Sequence, residues 1–182
     1  VKNFDPKELF GKKDARRMDR STQFAIASAL EALEDSGLEI TEDNRDKIGA
    51  VIGSGIGGIG SVEEATNKLD ENPNSRISPF FIPMILPDIP GGMLAIQLGI
   101  RGNNLSVMTA CASGTNAIGE AANMIARGQL DVVFAGGTEA IITPLMMAGM
   151  ASMTALTKNN ENPTEASRPF DKNRDGFLMG EG

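Results

Sequence analysis

Residues 104–137 carry the sequence NLSVMTACASGTNAIGEAANMIARGQLDVVFAGG, which decides the fold class of the chain. Residues 104–109 have the pattern of a short strand, and residues 131–135 have that of a second strand. Residues 112–127 place Ile and Ala side chains at helical spacing, and Gly128 supplies the stop signal. A strand, a helix and a strand in this order predict a βαβ unit with parallel strands and a right-handed crossover.

Helices and strands also alternate outside this unit. Prolines recur between residues 72 and 90, and they exclude a long helix or a central strand there. No linker that would divide the chain into two domains is evident, so the sequence predicts one α/β chain. The other predicted elements are a helix over 14–36, a strand over 47–52, a helix from Ser61 to about Asp70, a short helix over 91–98 and a Met-rich helix over 144–156.

The composition is that of an ordinary globular protein. The chain has 182 residues, a formal net charge of −7, 41% hydrophobic residues and 23% charged residues, which excludes disorder, collagen and coiled coil. One cysteine excludes an internal disulfide framework and a Cys-rich zinc site, and the lack of histidine removes the commonest transition-metal ligand. No apolar run reaches the roughly 18 residues of a membrane span, and the polar opening Val1–Gly11 is not a signal peptide. We expect a cytoplasmic location, no membrane and no metal.

Cys111 lies at the predicted turn from strand to helix, among the small residues 110–114. The N-terminus of a helix carries partial positive charge and N–H groups, which favour a thiolate and can stabilise an oxyanion on a thioester carbonyl. The placement is analogous to a nucleophile elbow, although the sequence is not G-x-S-x-G. The alternative is a buried, inert cysteine that acts as a small hydrophobe. Position alone leaves both interpretations open.

Two further motifs are similar to ligand-binding loops. Gly53-x-Gly55-x-x-Gly58 follows a predicted strand and precedes a helix, as in the dinucleotide fingerprint. The Rossmann pattern also needs a second strand that ends in an acidic residue, whereas a proline-rich segment follows here. A turn that packs closely against another part of the chain is the better interpretation. Residues 171–176 are similar to the start of a calcium-binding loop, but the twelfth position of that loop is Gly182 rather than Glu. The favoured interpretation is that the charged residues of this segment pair with one another and hold a loop together.

A basic cluster at residues 12–20 stands out in this acidic chain. Its members Lys13, Arg16, Arg17 and Arg20 fall at spacings of three and four, which predicts that they share one face of the helix over 14–36. The cluster is either a solvated face or a dock for an acidic partner. Neither interleaved aromatic residues nor a nucleic-acid motif accompanies it, so we do not expect DNA or RNA as a partner.

Together these blocks make the chain similar to a known family. It resembles the β-ketoacyl-[acyl carrier protein] synthases of the condensing-enzyme family, and most of all their type II, chain-elongating branch, from about Arg16 to Gly182. The blocks that carry the resemblance are residues 48–58 (IGAVIGSGIGG), 77–81 (ISPFF), 109–114 (TACASG), 135–139 (AGGTE) and 167–177 (SRPFDKNRDGF). The resemblance implies a thiolase-like fold, with a mixed, mainly parallel sheet and helices on both faces. Residues 1–182 would be a partial N-terminal domain, without the C-terminal half.

The resemblance also implies roles for individual residues. Cys111 would be the catalytic nucleophile that accepts the acyl group, and its N–H would be one donor of the oxyanion hole. The positions implied for substrate binding are Ile56 at the gate of the acyl pocket, Phe81 reaching the neighbouring subunit's pocket and Met150 in the pocket wall. The positions implied for docking of the acidic carrier protein are Lys13, Arg16 and Arg17. The strand near residues 104–109 would pair across a homodimer.

The implied activity is a transferase reaction of fatty acid biosynthesis. It is the decarboxylative condensation of acyl- and malonyl-[acyl carrier protein] thioesters, through an acyl thioester on Cys111 and without a cofactor. The family performs it with two histidines and a lysine from the second half, and this chain has no histidine, so it cannot complete the reaction alone. Two alternatives stay open, namely a thiolase acting on coenzyme A esters and a non-catalytic subunit that shapes the pocket of a synthase. Retention of Cys111 argues against the second.

Overall fold

The computed structural model describes all residues from Val1 to Gly182 and contains seven helices and three strands. No helix is long and apolar enough to cross a membrane. The helices are α1 (Pro6–Ala15), α2 (Arg20–Ser36), α3 (Ile59–Glu71), α4 (Phe81–Ile85), α5 (Ile89–Leu98), α6 (Ser113–Ala126) and α7 (Pro144–Ser152). The strands are β1 (Ile48–Gly53), β2 (Asn104–Val107) and β3 (Val132–Gly137). Short 3₁₀ turns cover Arg45–Lys47, Ala110–Ala112 and Pro163–Glu165.

The chain forms two compact units. The first contains residues 1–140 together with Gly182, and it holds the whole sheet. The second contains residues 141–181, namely α7 and the loops after it. Within the second unit, Leu156 and Phe177 form an isolated parallel bridge. No change in composition marks the boundary at residues 140 and 141. The division into two units follows from packing, which the sequence does not display.

The three strands are all parallel, in the order β2-β1-β3. Ala50 pairs with Asn104 on one side of β1, and Ile48 pairs with Val132 on the other side. The two strands of the predicted βαβ unit are therefore parallel, as expected, but β1 lies between them. β1 is the central strand, and all six of its residues are buried. This is typical of a strand that has a neighbour on each side and is covered on both faces.

Helices cover both faces of the sheet. On one face, Ile48 and Ala50 pack with Ile26 of α2 and Leu94 of α5. On the opposite face, Val51 packs with a second cluster, which consists of Ala117, Ala121, Met124 and Leu130. Successive strand residues point to opposite faces, so one short apolar strand supports both clusters. The predicted α/β class with helices on both faces is confirmed.

The helix predicted over residues 14–36 is wrong at its start. α1 ends at Ala15, and α2 begins at Arg20 after a break. Asp19 is buried at the N-cap of α2, where its carboxylate accepts hydrogen bonds from the Ser21 N–H at 2.9 Å and the Ser21 hydroxyl at 2.7 Å. A carboxylate at an N-cap starts a helix, because it satisfies N–H groups that have no partner inside the helix. The basic residues 13–20 therefore do not share one helix face, and that prediction is also wrong.

The helix predicted to begin at Ser61 also differs at its start. Ser61 was expected to cap α3, but the helix begins at Ile59 and Gly58 occupies the N-cap position. The Ser61 hydroxyl instead donates to Asp19 at 2.6 Å, which links α3 to the N-terminus of α2. The Met-rich helix α7 ends at Ser152 rather than at residue 156, with Thr143 as its N-cap. The predicted strands and the helices α5 and α6 agree with the structure within two residues at each end.

Candidate active site

The carboxyl ends of the three strands lead into turns that touch one another. A Cβ on Gly53, at the end of β1, would lie 2.5 Å from the backbone of Ser113. A Cβ on Gly137, at the end of β3, would lie 3.0 Å from Gly114 at the start of α6. Only residues without side chains allow these backbones to approach so closely. The carboxyl ends of parallel strands are where open α/β sheets place their sites.

Cys111 is exposed and sits in the 3₁₀ turn that precedes α6. Ala110, immediately before it, has a left-handed φ of 51°, which costs an L-residue about 1 kcal/mol. The Cys111 N–H has no backbone acceptor, and no side chain caps the start of α6. An exposed thiol whose own N–H has no backbone acceptor, at the start of a helix, matches the predicted strand-to-helix elbow. Cys111 is therefore not buried, as the alternative required, and its reactivity stays a prediction.

Ser113 holds the turn around Cys111 in shape. Its hydroxyl is buried, accepts a hydrogen bond from the Thr109 N–H at 2.9 Å and donates to the Ala110 carbonyl at 2.6 Å. The Asn116 amide donates to the Thr109 hydroxyl at 2.8 Å. These bonds fix the backbone on both sides of the thiol, so the left-handed residue is supported by its surroundings.

The glycine-rich turn after β1 binds a carboxylate of its own chain. Glu139, two residues beyond β3, accepts from the Ser54 hydroxyl at 3.1 Å and from the Gly55 N–H at 2.7 Å. A Cβ on Gly55 would lie 2.8 Å from the nearer Glu139 oxygen, so any larger residue here would push the carboxylate away from the Gly55 N–H. In a dinucleotide fold the second glycine makes room for a pyrophosphate, whereas here an internal anion takes the same N–H. The interpretation as a turn packed against the chain is confirmed.

The profile described as "Beta-ketoacyl synthase, N-terminal domain" matches residues 1–182. The chain belongs to the β-ketoacyl synthase family. It is 48% identical over 182 residues to a protein of Vibrio harveyi named "3-oxoacyl-[acyl-carrier-protein] synthase 2", and 49% identical to one of the same name from Staphylococcus aureus. It spans 44% and 45% of the length of those relatives.

A solved β-ketoacyl synthase from Burkholderia phymatum STM815 has the same fold as this chain. The two superimpose with a TM-score of 0.87 at 27% sequence identity. The alignment covers all of this chain and 45% of the other. The thiolase-like fold expected from the sequence is therefore confirmed.

Two of the sequence-predicted site residues lie close together in this β-ketoacyl synthase chain. Ile56 is 39% exposed and lies on the glycine-rich turn. Its neighbour Gly55 lies against Ala110, since a Cβ there would be 3.6 Å from the Ala110 carbonyl oxygen. The turn that carries Ile56 therefore borders the turn that carries Cys111.

The other predicted substrate positions lie elsewhere. Phe81 is half-buried at the start of α4 and lines a cavity of about 50 Å³, together with Ser61 and Met84. Met150 is half-buried in α7, within the second unit. The structure gives no test of their implied roles, which stay predictions.

The basic residues predicted for docking line one groove of about 530 Å³, although they do not share a helix face. The groove is lined by Lys12, Lys13, Arg16, Arg17, Ser78 and Phe80. The Arg17 guanidinium lies 4.7 Å from the centre of the Phe80 ring, a cation–π distance, and 3.4 Å from Asp14. Arg17 is thereby held at the groove, while Lys13 and Arg16 are exposed.

The loop that imitates a calcium site is tied together by its own charges. Arg168 lies 3.8 Å from Asp171 and 3.5 Å from Asp175. Asp175 also accepts from the Thr157 hydroxyl at 2.8 Å and the Lys158 N–H at 3.0 Å. This confirms the favoured interpretation. The structure has no group of three His, Cys, Asp or Glu side chains positioned to hold a metal ion.

Sequence reasoning missed the structural roles of Glu139, Ser113 and Asp19. Glu139 follows β3 by two residues and had no local signal, because its partners Ser54 and Gly55 lie more than 80 positions earlier in the chain. Asp19 followed by Ser21 was an N-cap signal inside the helix predicted over 14–36. Ser113 had no local signal, because its bonds depend on how the turn folds.

Proposed function

We propose that the complete protein containing this chain is a 3-oxoacyl-[acyl-carrier-protein] synthase that elongates fatty acyl chains. The observation that carries the proposal is the exposed Cys111 on a left-handed turn at the start of α6, next to an N–H without a backbone acceptor. Family membership and the printed names of relatives at 48% and 49% identity support the reaction type. The chain spans less than half of those relatives, so the remainder of the machinery belongs to the complete protein.

The first step loads the acyl chain on Cys111. The thiolate attacks the thioester carbonyl of an acyl-[acyl carrier protein], and the developing oxyanion is stabilised by the Cys111 N–H. The carrier's thiol then leaves, and the acyl group remains as a thioester on the enzyme. The covalent intermediate divides a difficult condensation into two easier steps.

The second step forms the new carbon–carbon bond. Malonyl-[acyl carrier protein] loses CO₂, and the resulting carbanion attacks the acyl carbonyl on Cys111. The Cys111 thiolate leaves, and the product is a 3-oxoacyl chain, two carbons longer, on the carrier. The two histidines and the lysine implied by the resemblance have to come from outside these residues, because the chain has no histidine.

The remaining predicted residues fit this scheme as proposals. Ile56 on the glycine-rich turn would gate the acyl pocket, Phe81 would reach the pocket of a neighbouring subunit, and Met150 would line the pocket wall. A homodimer is supported by β2, which is an outer strand of the sheet and so has one unpaired backbone edge. A cytoplasmic location stays a prediction.

The groove around Arg16 and Arg17 would receive an acidic carrier protein. The chain as a whole carries a net charge of −7, so an acidic partner is repelled by most of its surface. A cationic groove in such a chain selects where the partner lands, because complementary potentials steer encounter and suppress wrong orientations.

The test is an intact mass measurement of the complete protein after incubation with an acyl-[acyl carrier protein]. We expect a mass increase equal to one acyl group, and its loss in Cys111→Ala while the melting temperature stays close to that of the parent. Malonyl-[acyl carrier protein] should then discharge the adduct. No adduct on a folded protein would sink the proposal and favour the non-catalytic, pocket-shaping subunit.

A further inference from the structure

We propose that Glu139 is a positioning residue that holds the glycine-rich turn, and with it Ile56, in place beside Cys111. The gate role of Ile56 belongs to the proposed function, whereas the bonds of Glu139 stand independently of it. The hydrogen bonds around Glu139 connect its carboxylate to the backbone on both sides of Ile56.

Both oxygens of Glu139 are used. Oε2 accepts from the Gly55 N–H at 2.7 Å, and Oε1 accepts from the Ser54 hydroxyl at 3.1 Å. The Ser54 oxygen in turn accepts from the Gly57 N–H at 2.8 Å. Directly or through Ser54, the carboxylate thus holds the N–H groups on both sides of Ile56. Hydrogen bonds to a charged acceptor are about twice as strong as neutral ones, so this anchor is a firm one.

Other contacts hold the two ends of the turn rather than its tip. The Ser54 carbonyl accepts from the Ser113 hydroxyl at 3.3 Å, and the Gly57 carbonyl accepts from the N–H two residues further on at 2.9 Å. Ile56 itself is 39% exposed, so burial of its side chain does not fix the backbone. The Glu139 carboxylate is therefore the side-chain acceptor that restrains the backbone on both sides of this residue.

Glu139 is itself well anchored. It directly follows Thr138, whose hydroxyl is buried and donates to the Ser21 carbonyl at 2.7 Å. The Thr138 N–H donates to the Gly53 carbonyl at 3.0 Å, which extends the pairing of β3 with β1. The carboxylate thus projects from a fixed strand end toward the exposed tip of the glycine-rich turn.

The sharpest variant is Glu139→Gln in the complete protein. Glutamine keeps the size and shape of the side chain, but it has one acceptor oxygen and presents an NH₂ donor to the second donor group. Glu34→Gln is the matched control, since it makes the same change at an exposed position in the last turn of α2. Ser54→Ala removes the Oε1 bond together with the Gly57 N–H bond to the same hydroxyl, and it leaves the Gly55 bond in place.

The first measurement is hydrogen–deuterium exchange by mass spectrometry. We expect Glu139→Gln to raise exchange about tenfold or more in peptides covering residues 53–58, with other segments unchanged. Ser54→Ala should give a smaller increase in the same peptides, and Glu34→Gln none. Unchanged exchange in residues 53–58 overturns the proposal. An increase across the whole chain also overturns it, because that result indicates only a general stabilising role.

The second measurement separates an effect on the position of Ile56 from an effect on the reactivity of the Cys111 thiol. Rates of Cys111 modification are compared for iodoacetamide, an acetyl thioester and a long-chain acyl thioester of the carrier protein. We expect Glu139→Gln to change the long-chain to acetyl ratio about tenfold while the iodoacetamide rate stays within about twofold. A parallel fall of all three rates contradicts positioning of the gate. If the parent protein loads no acyl group, the proposed function fails, and the exchange experiment still decides whether Glu139 holds the turn.

Discussion

A single methyl group at position 55 tests how tightly the candidate site is built. Gly55→Ala places a Cβ 2.8 Å from the Glu139 carboxylate, so the pair has to separate. Losing a charge-assisted hydrogen bond of this kind lowers the free energy of unfolding by about 1.5–3 kcal/mol. Chemical denaturation of the two proteins measures the difference.

The control at this scale is Gly119→Ala. Gly119 is exposed in the middle of α6, and a Cβ there meets nothing within 4 Å. Alanine in a helix interior is favoured over glycine, so this variant should gain about 0.5–1 kcal/mol. Equal effects of the two substitutions would contradict the close contact at Gly55.

At the scale of an element, two aspartates cap helices in different settings. Asp19 caps α2, is buried, and accepts three hydrogen bonds, the third from the Ser61 hydroxyl of α3. Asp5 caps α1, is exposed, and accepts one bond from the Lys7 N–H at 2.8 Å. The same residue type thus joins two helices at Asp19 and starts a single helix at Asp5.

This difference predicts unequal effects of Asp19→Ala and Asp5→Ala. We expect Asp19→Ala to lower the free energy of unfolding by about 2–4 kcal/mol, because it removes a cap and leaves buried hydroxyl and N–H groups without partners. Asp5→Ala should lower it by only about 0.5–1 kcal/mol. Urea denaturation compares them, and similar losses would show that the contact between α2 and α3 adds nothing.

The loop around Asp175 carries a pH dependence. The Lys158 N–H, then the Thr157 hydroxyl and the Arg168 charge, hold the pKa of the Asp175 carboxyl below its ordinary value. A lowered pKa means that the carboxylate stabilises the folded loop fully above the ordinary carboxyl pKa of about 4. That contribution is lost as the pH falls through the folded pKa.

We therefore expect residues 155–160 to lose protection from hydrogen exchange below about pH 4, after correction for the intrinsic rate. Asp175→Asn should lower protection at neutral pH and remove this pH dependence. Asp70→Asn, at an exposed position in α3, is the matched control. A loop whose protection is the same at pH 3 and pH 7 would contradict the role of Asp175.

At the scale of the whole molecule, the distribution of charge predicts a salt-sensitive interaction. Arg16→Glu in the complete protein should raise the KM for an acyl-[acyl carrier protein] about tenfold at low salt, with a smaller effect at high salt. The rate with a small N-acetylcysteamine thioester should not change, because it lacks the carrier. Arg127→Glu, at the C-cap of α6 about 20 Å along the helix from its start, is the control. Equal effects of both variants would rule out a dedicated docking groove.

Much of the site follows from local pattern. The apolar strand before residue 110, the small residues around Cys111 and the glycine after α6 each set a local conformation, so the strand–turn–helix elbow was predictable. The family blocks implied a catalytic role for the thiol, which stays a prediction. Local propensity acts over a few neighbours along the chain, and these features depend on nothing further away.

The strand order and the bonds that hold the site were decided only by the tertiary structure, because they join residues that are far apart in sequence. β1 lies between β2 and β3 because it alone is buried at every position, and burial depends on which helices cover it. The Gly55–Glu139 bond joins residues 84 positions apart, and the Asp19–Ser61 bond joins residues 42 positions apart. No local pattern encodes such pairs, since their energy appears only when packing brings the two ends together. The sequence by itself therefore determined where Cys111 stands, and tertiary packing decided what holds the turn beside it.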